Sequence, residues 1–91
     1  MATRSLKVRI TGFVQGVGFR AWTERQANTL GLSGWVRNCE NGDVEAVFSG
    51  SQENVQAMLA LCREGPRHAQ VERVEIAGPA APAVGVFRTV N

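Results

Sequence analysis

The sequence predicts an α+β sandwich, with an antiparallel sheet and two helices packed on one of its faces. Two observations lead there. Apolar residues recur with period two in several short stretches and with helical spacing in two others, and these stretches follow one another as βαββαβ. At the middle of that order stands Asn41-Gly42, the strongest short signal for a hairpin joining two adjacent strands.

Each element has its own justification. Leu6, Val8 and Ile10 alternate with Lys7, Arg9 and Thr11, the pattern of a half-buried strand. From Phe19 to Leu30 the residues Phe19, Trp22, Ala27 and Leu30 keep a thin helical stripe, and Gly31 supplies its stop. Trp35 to Cys39 and Asp43 to Phe48 form the two strands of the hairpin. Ser51 begins a second helix, in which Val55, Met58, Leu59 and Cys62 stand at i, i+3, i+4 and i+7 until Gly65-Pro66 ends it. Val71 to Ala77 reads as a fourth strand with Val74 and Ile76 on one face, and Val84 to Val90 as a short edge strand after a Pro/Ala-rich connection. Helices alternating with a central hairpin in this way give the ferredoxin-like arrangement, which hosts many functions and selects none.

Composition narrows the possibilities further. A chain of 91 residues with 44% hydrophobic and 20% charged residues is expected to fold as one domain, 1–91. Its net charge of +2 comes without any Lys/Arg block, so neither nucleic acid nor an anionic membrane is an expected partner. No apolar run is long enough to span a bilayer, and the first residues lack the hydrophobic stretch of a signal peptide. Cys39 and Cys62 have neither metal nor redox spacing, which fits a reduced, cytoplasmic protein, and a monomer is the default expectation. Trp22, Trp35 and Met58 are assigned to the core, and His68 to a solvent-facing loop.

The stretch with chemical content is VQGVGFR, residues 14–20. Gly16 and Gly18 permit positive φ and close approach of the main chain to a ligand, and Arg20 offers a planar fork of donors for an oxyanion. Arg20 also falls at the start of the first helix, where the dipole disfavours a cation unless an anion is bound there. A tight turn ending in a surface arginine is the alternative. Established nucleotide loops do not fit. A dinucleotide fingerprint needs glycine where Ala21 stands, and a Walker A loop needs a lysine that is missing here. A cysteine-dependent phosphatase needs an arginine where Cys39 and Cys62 meet Glu45 and His68. Asn38, at the end of its strand, is either a turn residue or an amide that holds a water through its carbonyl oxygen.

Two longer stretches resemble a known family. ITGFVQGVGFR (10–20) is similar to the first acylphosphatase signature and GWVRNCENGDVEAVFSG (34–50) to the second, with the family's spacing between them, and GPRHAQVERVEI (65–76) resembles its later part. The resemblance implies a ferredoxin-like fold and hydrolysis of the carboxyl-phosphate bond of acyl phosphates, without metal or cofactor. It further implies that Arg20 binds the phosphate, that the main chain of Gln15, Gly16, Val17, Gly18 and Phe19 cradles it, and that Asn38 positions the attacking water. Glu24, Glu40 and Asp43 are expected to be solvated rather than catalytic. Cys39 stands where the family often has threonine, and the chain lacks the tyrosine that relatives often carry near the end. A non-catalytic phosphate-binding or regulatory module of the same fold is the alternative function. An RNA-binding domain is disfavoured, because the strand DVEAVFSG offers Phe48 as its only stacking aromatic.

Overall fold

Eleven residues of alternating character, Thr3–Phe13, form the first strand (β1) of a computed structural model that describes residues 2–91. The helix α1 (Phe19–Thr29), the strands β2 (Ser33–Asn38) and β3 (Val44–Ser51), the helix α2 (Gln52–Glu64), and the strands β4 (Gln70–Pro79) and β5 (Arg88–Thr89) follow. The sheet has the order β4-β1-β3-β2-β5. The first four strands pair antiparallel, as expected of the ferredoxin-like sandwich, and β5 adds a two-residue parallel edge beside β2. The last strand is therefore shorter than the Val84 to Val90 expected, with Val84 and Val86 exposed ahead of it.

Alternation decides which side chains meet the helices. Leu6, Val8 and Ile10 of β1, Val36 of β2, and Val44, Ala46 and Phe48 of β3 are buried in one core with Val55, Met58, Leu59 and Cys62 of α2. Phe87, just before β5, stacks on Phe48 at 5.4 Å between centroids, so the chain's last segment is tied into that core. From α1 the buried residues are Phe19, Thr23 and Ala27. Thr23 hides its hydroxyl by donating to the Phe19 carbonyl at 2.8 Å, which makes a polar residue acceptable where an apolar stripe was sought. Neither tryptophan is fully buried, and of the two only Trp22 packs against the core. Trp22 is half-buried against Phe19, and Trp35 lies on the sheet face without helices, with the Arg37 guanidinium 5.6 Å from its ring centroid. Ile76 is half-exposed near the end of the edge strand β4, and His68 is exposed as expected.

The uncovered face has its own organising group. Glu45 is 4% exposed, and its Oε1 accepts from Arg37 Nε and Nη2 at 3.0 and 2.6 Å. Its Oε2 accepts from Arg9 at 3.4 Å and lies 3.6 Å from Lys7 Nζ. Burial pushes this carboxyl up, but the Arg37 hydrogen bonds and the charges of Lys7, Arg37 and Arg9 outweigh it and hold Glu45 below the usual carboxylate range.

Two sets of side chains secure the connection from β4 to β5, which must cross the whole sheet. Ser5, Ser49 and Ser33 stand in register on three neighbouring strands. Ser5 Oγ donates to Ala81 O, Ser49 Oγ accepts from Ala83 N, and Ser33 Oγ donates to Gly85 O. Beyond the crossing, α1 takes over. Asn28 exchanges two hydrogen bonds with the main chain of Phe87, Glu24 Oε1 accepts from Thr89 N at 2.7 Å, and Arg20 Nη1 donates to Asn91 O. Four helical residues rise about 6 Å and two extended ones about 6.6 Å, so every fourth side chain of the helix meets every second residue of the antiparallel segment.

The hairpin departs from a two-residue turn. Gly42 N donates to Cys39 O and Cys39 N to Asp43 O, and of the residues between them only Gly42 has positive φ, at 98°. The connection is thus a type I turn closed by a glycine bulge, with Asn41 Oδ1 accepting from Asp43 N.

Candidate active site

The chain leaves β1 at Phe13 and enters α1 through a loop whose two glycines, Gly16 and Gly18, have φ of 75° and 79°. A Cβ at either would meet nothing within 4 Å, so backbone conformation, and not space, is what glycine supplies here. Gly18 is the N-cap of α1 in the left-handed conformation, no side chain caps the helix, and no acidic residue stands in its first turn. The contrast with α2 is direct: Ser51 Oγ accepts from Asn54 N at 3.2 Å and Glu53 lies in the first turn. One helix of this small domain thus has its first N–H groups met by a side chain, and the other has them open at the positive end of its dipole.

Arg20 is the second residue of that uncapped helix. Its Nη1 donates to the Asn91 carbonyl oxygen, which leaves further donors of the guanidinium for an oxyanion. Asn38 ends β2 on the neighbouring wall. Among the described residues, its Oδ1 is the one buried side-chain oxygen or nitrogen without a hydrogen-bond partner. A buried acceptor left open costs stability, so such a group invites a functional explanation.

A cavity of about 380 Å³ joins these groups, and Gln15, Gly16, Gly18, Phe19, Arg20 and Asn38 all line it. Val17 does not. Its side chain packs against the core, as does that of Phe19, which is 1% exposed, so the loop presents main chain to the cavity. Gln15 turns its side-chain amide toward the hairpin, where Nε2 donates to Cys39 O and Asp43 O, each at 2.8 Å. Through these bonds Cys39 meets the loop by its carbonyl oxygen and not by its thiol.

Val14, Ala21, Glu24 and Thr89 complete the wall; the sequence proposed none of them as a site residue and expected Glu24 to be solvated. Glu24 stands one helical turn after Arg20, which could have placed it on the same face, but its partner Thr89 lies 65 residues away. Glu24 is accordingly not simply solvated; it holds β5 beside the cavity. Glu40 is exposed, and Asp43 pairs with Arg9 at 3.4 Å outside the site. Among the described residues no three His, Cys, Asp or Glu side chains gather as a metal site would require.

An uncapped helix start, a guanidinium and an open amide oxygen thus stand around one cavity of an α+β sandwich, an arrangement that could hold an oxyanion and a water. Residues 6–86 match the Acylphosphatase family model, and the chain belongs to the acylphosphatase family. It is 55% identical over 83 residues to an acylphosphatase of Azorhizobium caulinodans, covering 91% of this chain and 89% of that one. The solved structure of an acylphosphatase from Coxiella burnetii superposes with a TM-score of 0.91 at 33% identity, over 97% of this chain and 93% of that one. The Bacillus subtilis acylphosphatase structure gives 0.89 at 25% identity, over 99% and 100% of the two chains.

Proposed function

We propose that Arg20, the loop amides of 15–19 and Asn38 together perform the acyl phosphate hydrolysis that family membership assigns to this chain, and that they do so without a metal. The observation that carries this reading is the open Asn38 Oδ1, buried in the wall of the cavity that also holds Arg20 and the uncapped start of α1. The phosphoryl group would sit on the loop amides and the guanidinium, which are preorganised where charge is spread over its equatorial oxygens. Asn38 Oδ1 would accept one hydrogen bond from a water and hold it for in-line attack.

The bond accounting is simple. Water oxygen attacks phosphorus, the bond from phosphorus to the acyl oxygen breaks, and its electrons leave with the carboxylate. One water proton passes to a phosphate oxygen, giving dihydrogen phosphate and a carboxylate from a dianionic substrate. The leaving carboxylate has a conjugate-acid pKa of about 4, so no general acid has to assist it. An asparagine suffices because its task is orientation and not proton abstraction. Both cysteines are free thiols, which supports a reducing, cytoplasmic setting, and a monomer is the state proposed.

The test is hydrolysis of benzoyl phosphate by purified protein in EDTA. Arg20→Ala should lower kcat/KM about a thousandfold and abolish competitive inhibition by inorganic phosphate. Asn38→Ala should lower kcat roughly a hundredfold while the phosphate inhibition constant stays nearly unchanged. Full turnover in both variants would remove these residues from the mechanism. Phosphate binding without any turnover in the parent would make the chain a phosphate-binding module instead.

A further inference from the structure

We propose that the Gln15 side chain is a positioning residue that fixes Asn38 against the phosphate cradle, an inference resting on the roles given above to Arg20 and Asn38. The cradle, residues 15–19, and Asn38 belong to different chain segments, so in-line geometry depends on what joins them. Among the described residues, the side-chain hydrogen bonds between the 14–18 loop and the β2–β3 hairpin are the two from Gln15 Nε2, to Cys39 O and to Asp43 O at 2.8 Å each.

The acceptors are those that close the hairpin. Asp43 O also accepts from Cys39 N at 2.8 Å, and Cys39 O also accepts from Gly42 N at 3.3 Å. A planar NH₂ group has two hydrogens at a fixed angle, so one glutamine amide spans both carbonyls and sets their distance from its own backbone. That backbone is part of the cradle, and Asn38 is one peptide bond before Cys39. Gln15 therefore acts as a two-point clamp from the phosphate side of the reaction to the water side. Its main chain meets the phosphate, and its side chain is turned away to the hairpin. Loss of the clamp leaves every group that touches the substrate in place and loosens the spacing between them. A misplacement of about 1 Å between water and phosphorus is enough to cost two orders of magnitude in rate.

The experiment is a double-mutant cycle on benzoyl phosphate hydrolysis, with inorganic phosphate as the competitive probe. Gln15→Met keeps length and removes the donors. Gln15→Asn keeps the amide but falls short of the hairpin, and serves if the Met variant does not accumulate folded. In the parent background either substitution should lower kcat about ten- to a hundredfold, with the phosphate inhibition constant within about threefold. In an Asn38→Ala background the same substitutions should change kcat less than about twofold, because the residue being positioned is already gone. Equal losses in the two backgrounds, or an inhibition constant that rises in step with the loss of kcat, would overturn the proposal. An Asn38→Ala protein with undiminished kcat would show that the role of Asn38 itself fails, and the proposal with it.

Discussion

Glu45 is the one charged side chain buried among the described residues, and three cations surround it. Because its folded pKa lies below its ordinary value of 4.5, its stabilisation is present above that value and lost as pH falls through the folded one. Glu45→Gln is expected to cost about 1–3 kcal/mol at pH 7, since Lys7, Arg9 and Arg37 are then left facing one another. Thermal melts between pH 7 and pH 3 should show the parent losing more stability on acidification than the variant; parallel curves would exclude Glu45 as the source. The cysteines differ as sharply. Burial pushes the Cys62 thiol up to about 12, whereas Cys39 is only half-buried. Iodoacetamide at neutral pH should therefore leave Cys62 unlabelled in the native protein and label it after denaturation, as peptide mass mapping would show. The role of Glu45 could not be read from the sequence, because its position in an alternating strand marks the face it occupies but not the cations that cover it.

At the scale of elements, what the sequence makes legible is whatever is local or periodic. The α2 stripe, the β1 alternation and the positive-φ glycines before α1 each follow from neighbours within a few residues, and all three are found where expected. Paired motifs carried Arg20 and Asn38 to one site, although no spacing rule could show that the cavity joins them. Contacts between a single side chain and a distant backbone atom leave no such trace. The Gln15 clamp, the three serines across the sheet and the Arg20-Glu24-Asn28 row on α1 are all of this kind. The turn at Asn41-Gly42 illustrates the boundary, since the dipeptide announces a hairpin while its bulged geometry depends on how the strands are aligned. The α1 row also gives a prediction. Asn28→Ala leaves the Phe87 N–H and carbonyl without their partner and should cost about 1–3 kcal/mol in urea unfolding. It should weaken phosphate inhibition as well, since Thr89 beyond it lines the cavity. Loss of stability with phosphate inhibition unchanged would separate the row from the site.

For the whole molecule, the strand order β4-β1-β3-β2-β5 brings the last segment of the chain beside the first helix. The cavity accordingly draws on residues 14–24, on residue 38 and on residue 89, and its arginine is bonded to residue 91. Phe87 ties that segment to Phe48 in the core, while the segment's later residues meet α1 and the cavity. Until it docks, Thr89 is missing from the cavity wall and Arg20 lacks its bond to Asn91, so with the roles proposed above full turnover is expected only afterwards. In refolding from urea, hydrolysis of benzoyl phosphate should therefore return later than the far-ultraviolet signal of sheet and helices. Simultaneous recovery would mean that the edge docks with the rest. Catalysis would then double as a clock, its return timing the arrival of the segment around Thr89 beside the first helix.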